Sequence, residues 1–359
     1  MTDLMIYGAT GYTGTLIAEH AAATASQFSP PPTLAGRNQA KVRELAMRLK
    51  MPWAAFDLAD AAALRHRLRD VKVLLNCAGP FSRTADPLVA ACLEAGTHYV
   101  DITGEIAVFE RIAAQNAAAR QAGIVLLPGA GFDVVPSDCL AAHLKRRQPG
   151  LRRLRLSISG LTKASRGTAR TALEALGKGT LARRGGEIVE LERPQRSRSD
   201  FGRGPVETVG VSWGDVATAW YSTGAQEIDV LFEASRQLRL VSHVPRRLRP
   251  ALGSAPVQRL LSRLVDRMQH GPSPGDRQSG RCRLLAEGWD AEGARVASLM
   301  ETPEPYALTA QTAFMIAQRI GAEEVAAGYQ TPSTAFGPDL ALEFDGVDRM
   351  DEERRRSVS

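Results

Sequence analysis

The sequence predicts an α/β protein of two domains, the first built on a parallel sheet. Three observations carry this expectation: a glycine-broken apolar run at the start, alternating strand and helix signals through the first third, and a length of 359 residues, comfortable for two domains. A hydrophobic content of 44% is that of an ordinary globular protein.

The run Leu4-Met5-Ile6-Tyr7 reads as a first strand that breaks at Gly8-Ala9-Thr10-Gly11-Tyr12-Thr13-Gly14 into a helix expected from about Thr13 to Ala23. Gly8 permits the turn, Gly11 lets the backbone approach a pyrophosphate, and Gly14 lets the helix pack closely on the strand with its N-terminal amides facing phosphate charge. The spacing is GxxGxxG, not the commoner GxGxxG, so its context matters. That context is a second apolar element, Thr33-Leu34-Ala35, ending at Gly36-Arg37-Asn38 and completing a βαβ unit. The end of this second strand is where the adenosine ribose is read; an acid there favours NAD, whereas an arginine accommodates the 2′-phosphate of NADP. Arg37 therefore favours NADP(H) over NAD(H), the alternative being a solvated arginine in an arginine-rich chain. The expected cofactor contacts in this part are Gly8, Thr10, Gly11, Tyr12, Thr13, Gly14, Arg37 and Asn38.

A helix follows around residues 39–50, a short strand at 53–56 ending at Asp57, which joins the cofactor-binding candidates, and a helix around 61–69. Val71 to Cys77 is a clear strand running into Ala78-Gly79-Pro80-Phe81. Open α/β sheets bind ligands at the carboxyl ends of their strands, so Asn76, Ala78 and Gly79 are candidate neighbours of the nicotinamide ribose, or else a plain Gly-Pro turn. Next come a helix around 87–94, a strand ending in Asp101-Ile102-Thr103-Gly104-Glu105, a helix near 106–122 and a strand at 123–128. The glycine- and proline-rich stretch Pro128 to Asp138 opens a helix over 139–146, with Ser137 or Asp138 as its N-cap, and is placed to wall the crevice over the cofactor.

Beyond Gly150, Leu154 to Ser159 alternates with period two, a helix is expected over 168–176, a strand over 186–191, a hairpin from 282–289 and 295–300, and a helix over 305–320. Residues 193–205 and 266–281, rich in Arg, Ser, Gly and Pro, read as surface loops or a lid, and 348–359 as a mobile tail.

The 45 basic and 39 acidic residues give a net charge of +6, but the basic residues are nearly all arginine and are scattered among acids. Specific nucleic-acid binding is not expected. The local runs Lys145-Arg146-Arg147 and Arg246-Arg247-Leu248-Arg249 could face an anionic substrate or a membrane surface, or be solvated faces. Four widely spaced cysteines, at 77, 92, 139 and 282, form no metal-ligand pattern, and no metal is expected. With no leader and no apolar run of membrane-spanning length, the chain reads as soluble and cytoplasmic.

Five motifs in order carry a resemblance: the glycine string at 8–14, Ala35 to Asn38, Asn76 to Phe81, His98 to Glu105, and Pro128 to Asp138. Together they resemble the saccharopine dehydrogenase-like NADP-binding proteins and, within them, the bacterial trans-acting enoyl reductase branch, to which Arg166 to Ala169 and Gly328 to Gly337 are also similar. The resemblance implies a Rossmann domain over 1–135 and a second α/β domain with a mixed sheet over 136–359, the C-terminal segment being able to pack back on the first. It further implies a reductase of an acyl or enoyl substrate, an imine substrate as in saccharopine chemistry, and a homodimer through the second domain's sheet.

Hydride transfer needs orientation and a proton donor beside the nicotinamide. The candidates are Tyr12, His98, Asp101, Glu105 and Asp133. Each has a structural alternative: Tyr12 as a packing ring, His98 as a turn residue, and Asp101 and Glu105 as backbone-bonding carboxylates. The Tyr-xxx-Lys pair of short-chain dehydrogenases is absent, since none of the six lysines follows a tyrosine by four. Two readings remain, an NADPH-dependent reductase and a catalytically silent nucleotide-binding or scaffold protein.

Overall fold

The computed structural model describes residues 2–24, 30–161, 163–175, 179–242, 254–267, 271–322 and 325–352. The chain divides into two compact units, Met1–Val135 with Tyr306–Ala335, and Pro136–Pro305 with Phe336–Ser359.

The first unit is a parallel sheet of β1 (Thr2–Tyr7), β2 (Thr33–Gly36), β3 (Trp53–Ala55), β4 (Val71–Asn76), β5 (His98–Asp101), β6 (Val125–Leu127) and β15 (Gly328–Tyr329), in the spatial order 3-2-1-4-5-6-15. Its first six strands follow the doubly wound order, with the reversal between β1 and β4. Register levels the strand ends: Tyr7 pairs with Ala35 on one side and Asn76 on the other, and Asn76 with Asp101. The loops that follow these residues therefore emerge on one edge. Strand β4 is buried at every position but Lys72, as a parallel strand covered on both faces requires. Its Leu74 and Leu75 are fully buried, each worth about 1.5–3 kcal/mol of transfer free energy.

The helices of this unit are α1 (Tyr12–Ala23), α2 (Gln39–Leu49), α3 (Ala61–Leu68), α4 (Phe81–Ala95), α5 (Ile106–Ala113) and α6 (Asn116–Ala122). Two depart from expectation. Helix α4 begins six residues before Pro87, which lies inside it, and the single helix expected over 106–122 breaks into α5 and α6 at residues 114–115. Helix α7 (Val135–Arg147) likewise begins early. The turn tightens already at Gly131, whose carbonyl accepts from Val134 and Val135 at 3.1 and 2.9 Å, so Ser137 and Asp138 lie within the helix and do not cap it.

The second unit holds a mixed nine-stranded sheet: β7 (Arg153–Ser159), β8 (Thr180–Arg184), β9 (Glu187–Leu191), β10 (Arg196–Asp200), β11 (Pro205–Gly210), β12 (Glu227–Glu233), β13 (Arg281–Trp289), β14 (Arg295–Pro303) and β16 (Asp348–Asp351). Among the described residues of this unit, only β7 and β12 pair in parallel. Its described helices include α8 (Arg166–Ala175), α9 (Asp215–Thr223), α10 (Arg236–Ser242), α11 (Ala255–Asp266) and α12 (Pro274–Ser279). The expected end of α8 at Leu176 and the run Arg246 to Arg249 lie outside the described residues.

Three expected loops are ordered elements. Residues 193–205 contain strand β10 and the turn into β11, which Asp200 closes by accepting from the amides of Gly202, Arg203 and Gly204 at 2.8, 3.2 and 3.0 Å. Within 266–281 lies α12, held by a reciprocal capping box between Ser273 and Asp276. The start of the expected tail is β16, paired along β14. Low apolar content hid these segments, because their stability comes from cross-strand partners and caps and not from a periodic apolar face. Helices α13 (Pro305–Ala322) and α14 (Pro332–Phe336) complete the described α-helices, and a 3-10 helix follows at Leu340–Glu343.

Candidate nucleotide site

Gly8 sits where β1 ends, at φ +82°, and its amide donates to Ala35 of β2 at 2.9 Å. A Cβ on Gly8 would lie 2.6 Å from the Ala78 amide nitrogen, so this turn and the one after β4 are packed main chain against main chain. A Cβ on Gly14 would lie 2.3 Å from the Gly8 carbonyl oxygen, so this glycine sets the closeness of α1 to β1. Gly11 is different. It is exposed, at φ −74°, ψ 166°, and its Cβ would meet only the Gly8 oxygen, at 3.3 Å. It is also the N-cap of α1, an end with no side-chain cap and no acid in its first turn. The first intrahelical bond is from Thr15 to Gly11, so the amides of Thr13 and Gly14 precede it. An uncapped helix start behind a glycine hairpin is a ready anion site. Tyr12 opens the helix with its ring edge-on to Tyr306, at a centroid distance of 5.1 Å. Thr10 stands in the same loop, partly buried.

At the end of β2, Arg37 is exposed, and its guanidinium makes no hydrogen bond or ion pair among the described residues. Asn38 caps α2 by accepting from Lys41 at 3.0 Å. Asp57 is exposed just past β3, and its carboxylate accepts from the amide of Ala59 at 2.9 Å.

The turn after β4 is held from inside. Asn76 is fully buried; its oxygen accepts from the Ala78 amide at 2.9 Å, and its nitrogen donates to the Tyr99 hydroxyl at 3.1 Å and to Thr84 at 3.3 Å. The Asn76 side chain therefore shapes the turn and does not face out of it, whereas Ala78 and Gly79 present main chain. Tyr99 donates onward to Asp101 at 2.8 Å, and Asp101 accepts from the amides of Thr103 and Gly129 at 2.9 and 3.0 Å. Burial pushes the Asp101 carboxyl up to about 6 against the pull of these bonds. Glu105 spans two loops: its oxygens accept from the amides of Phe81 and Ser82 at 2.9 and 3.0 Å, capping α4 from outside the helix. Glu105→Ala should therefore lower stability by about 0.5–2 kcal/mol, the range for lost N-caps, a loss readable in urea denaturation.

His98 is a correction. It lies at the amino end of β5, opposite Val73, about 10 Å along the strand from the edge where the loops gather, and its Nδ1 accepts from Val125 at 2.9 Å. It is a structural acceptor, with burial holding its pKa below the usual value. Asp101 and Glu105 lie on the correct edge, but main-chain donors occupy them. Tyr12 and Asp133 remain on that edge with other surroundings.

Asp133 follows Phe132 in the loop after β6, with its Oδ2 2.8 Å from where a Gly104 Cβ would be. Partial burial pushes its carboxyl up to about 7. An unfolded aspartate ionises near 3.8, so between about pH 4 and 7 the folded chain holds protons that the unfolded chain has lost. Stability should fall as pH rises through that window, with Asp101 acting in the same direction. Asp133→Asn should flatten the slope, measured as urea midpoints at about pH 5 and 8.

The sequence reading missed the contribution of α13. Thr309 accepts from the Phe132 amide at 2.9 Å and Thr312 donates to the Ala130 carbonyl at 2.8 Å, so two hydroxyls from late in the chain hold the loop after β6. Their partners are far away in sequence, and no local pattern signals them.

Residues 4–127 match the family described as the saccharopine dehydrogenase NADP binding domain. The likeness to that family thus covers the stretch from β1 to β6. The trans-acting enoyl reductase of Mycobacterium tuberculosis is 36% identical over 151 residues, which cover 40% of this chain and 36% of the relative. A probable mitochondrial saccharopine dehydrogenase-like oxidoreductase of Arabidopsis thaliana is 34% identical over 149 residues, covering 38% of this chain and 33% of that one. The match thus spans little more than a third of these relatives' length. Among solved structures, apo saccharopine dehydrogenase (L-Glu forming) of Saccharomyces cerevisiae aligns over 98% of this chain and 100% of its own, at TM-score 0.65 and 12% identity. Homospermidine synthase of Legionella pneumophila, in complex with NAD, aligns over 100% and 94%, at TM-score 0.63 and 10% identity. These two likenesses concern the fold.

Proposed function

We propose that the chain is an NADP(H)-dependent oxidoreductase reducing an acyl, enoyl or imine substrate. The observation that carries the reading is the joint placement, on one sheet edge, of an uncapped helix start behind Gly11 and, at the end of β2, an arginine with no partner among the described residues. The first fits a pyrophosphate and the second a 2′-phosphate. The main chain from Gly11 to Gly14 would hold the pyrophosphate, Arg37 the 2′-phosphate, and the main chain of Ala78 and Gly79 the neighbouring ribose. When bound, the nicotinamide supplies or accepts the hydride. Burial pushes the Asp133 carboxyl up to about 7, which brings its proton exchange close to neutral pH, as a donor to a reduced substrate requires. Support for the family of reactions comes from the relatives, which include enoyl reductases and a saccharopine dehydrogenase-like oxidoreductase.

The test is titration with NADPH and NADH followed by a screen of enoyl thioesters and imines for NADPH oxidation. Tight NADPH binding with turnover is the expected result. A second reading, nucleotide binding without turnover, is favoured by one observation: Asp101 and Glu105 are committed to main-chain donors and His98 lies at the opposite edge. Binding without oxidation of NADPH across the screen would select it.

A further inference from the structure

In the second unit, α11 packs against α8, and Val265 is buried at 6% exposure on that helix. Its neighbours on the apolar arc are not covered. Leu260 and Leu264, one turn apart, are 59% and 52% exposed. In the nearby sequence, Leu240 of α10 is 76% exposed. At 100° per residue, Arg263 and Arg267 flank the leucine row on one side, and both are exposed. Neither side chain makes a hydrogen bond or ion pair among the described residues. The only acid of the helix, Asp266, is taken up by Arg170 of α8 at 2.6 Å, so no acid offsets the two arginines. The composition around the helix has the same character: residues 236–267 contain eight arginines and one aspartate, a surplus larger than the net charge of +6 on the whole chain.

We infer that the outer face of α11 docks on an anionic bilayer surface, with Leu260 and Leu264 entering the headgroup boundary and Arg263 and Arg267 on lipid phosphates. A helix with leucines on one arc, arginines beside them and no free acid has the composition of an interfacial helix. Solvated charge alone does not account for two half-exposed leucines in register with the arginines. The face is convex helix surface, which suits a lipid boundary more than a groove-bound peptide. The docking is peripheral, since among the described residues no helix is long and apolar enough to cross a membrane.

The test uses the full chain and sedimentation with phosphatidylcholine vesicles, with and without phosphatidylglycerol. The expected result is sedimentation only with phosphatidylglycerol, weakened by added salt. The double variants Arg263→Glu/Arg267→Glu and Leu260→Ser/Leu264→Ser should each reduce it at least about tenfold. Both should keep the wild-type circular dichroism and NADPH affinity, because all four side chains are exposed and lie on α11 or at its C-cap, outside the elements that carry the proposed nucleotide site. Failure of the wild type to sediment overturns the inference, as does sedimentation that the leucine pair does not affect. If vesicles fail and acyl carrier protein, added as a soluble acidic probe, binds in a way the same variants abolish, the surface belongs to an acidic protein and the bilayer assignment falls.

Discussion

Gly14→Val should prevent stable folding of the first unit, whereas Gly11→Val should leave the fold intact and remove nucleotide binding. The contrast follows from what each new side chain would meet. At Gly14 a Cβ would be 2.3 Å from the Gly8 carbonyl oxygen and 3.0 Å from the Ala9 Cα, both main chain of the first turn. Main chain cannot rotate away as a side chain can, so α1 must lift from β1. The cost should reach at least about 3 kcal/mol, the upper end of the range for overpacking. Gly8→Val should be comparably damaging, because it adds the positive φ to a 2.6 Å contact with Ala78. At Gly11 the backbone is in an extended conformation open to any residue, and the single contact, at 3.3 Å, yields to a small shift. The valine side chain would instead occupy the space in front of the helix start, where the pyrophosphate is proposed to lie. Thermal melts and NADPH titration separate the two outcomes. A Gly11→Val protein that still binds NADPH would remove this loop from the site.

Arg37→Asp should weaken NADPH binding by about 1–3 kcal/mol while leaving NADH unchanged or improved. The guanidinium has no competing partner among the described residues, so its loss should not disturb the fold. An aspartate in its place would repel a 2′-phosphate and accept from a 2′-hydroxyl. Equal losses for both nucleotides, measured by fluorescence titration, would show that Arg37 is a solvated residue and would return the cofactor preference to other contacts.

The parts of this protein legible in its sequence are those governed by local rules. A glycine at a strand end, an apolar run too short for a helix and an arginine after a second strand each act within a few residues. They determined the βαβ start, the carboxyl-end location of the candidate site and the alternation through β6. The same rules misplaced the start of α4, whose first turn is stabilised by Glu105 from another loop and not by a neighbour in sequence. Tertiary structure alone decided the roles of the polar residues. Asn76, Asp101 and Glu105 have the chemistry of site groups, but their orientation is set by Tyr99, Gly129 and Phe81, partners that only sheet register brings within hydrogen-bond distance. It also decided that Thr309 and Thr312, more than 170 residues later, hold the last loop of the site edge. The physical reason is one of range: propensity and turn geometry act over a few bonds, whereas the satisfaction of a buried polar group depends on whatever the folded chain places within 3 Å.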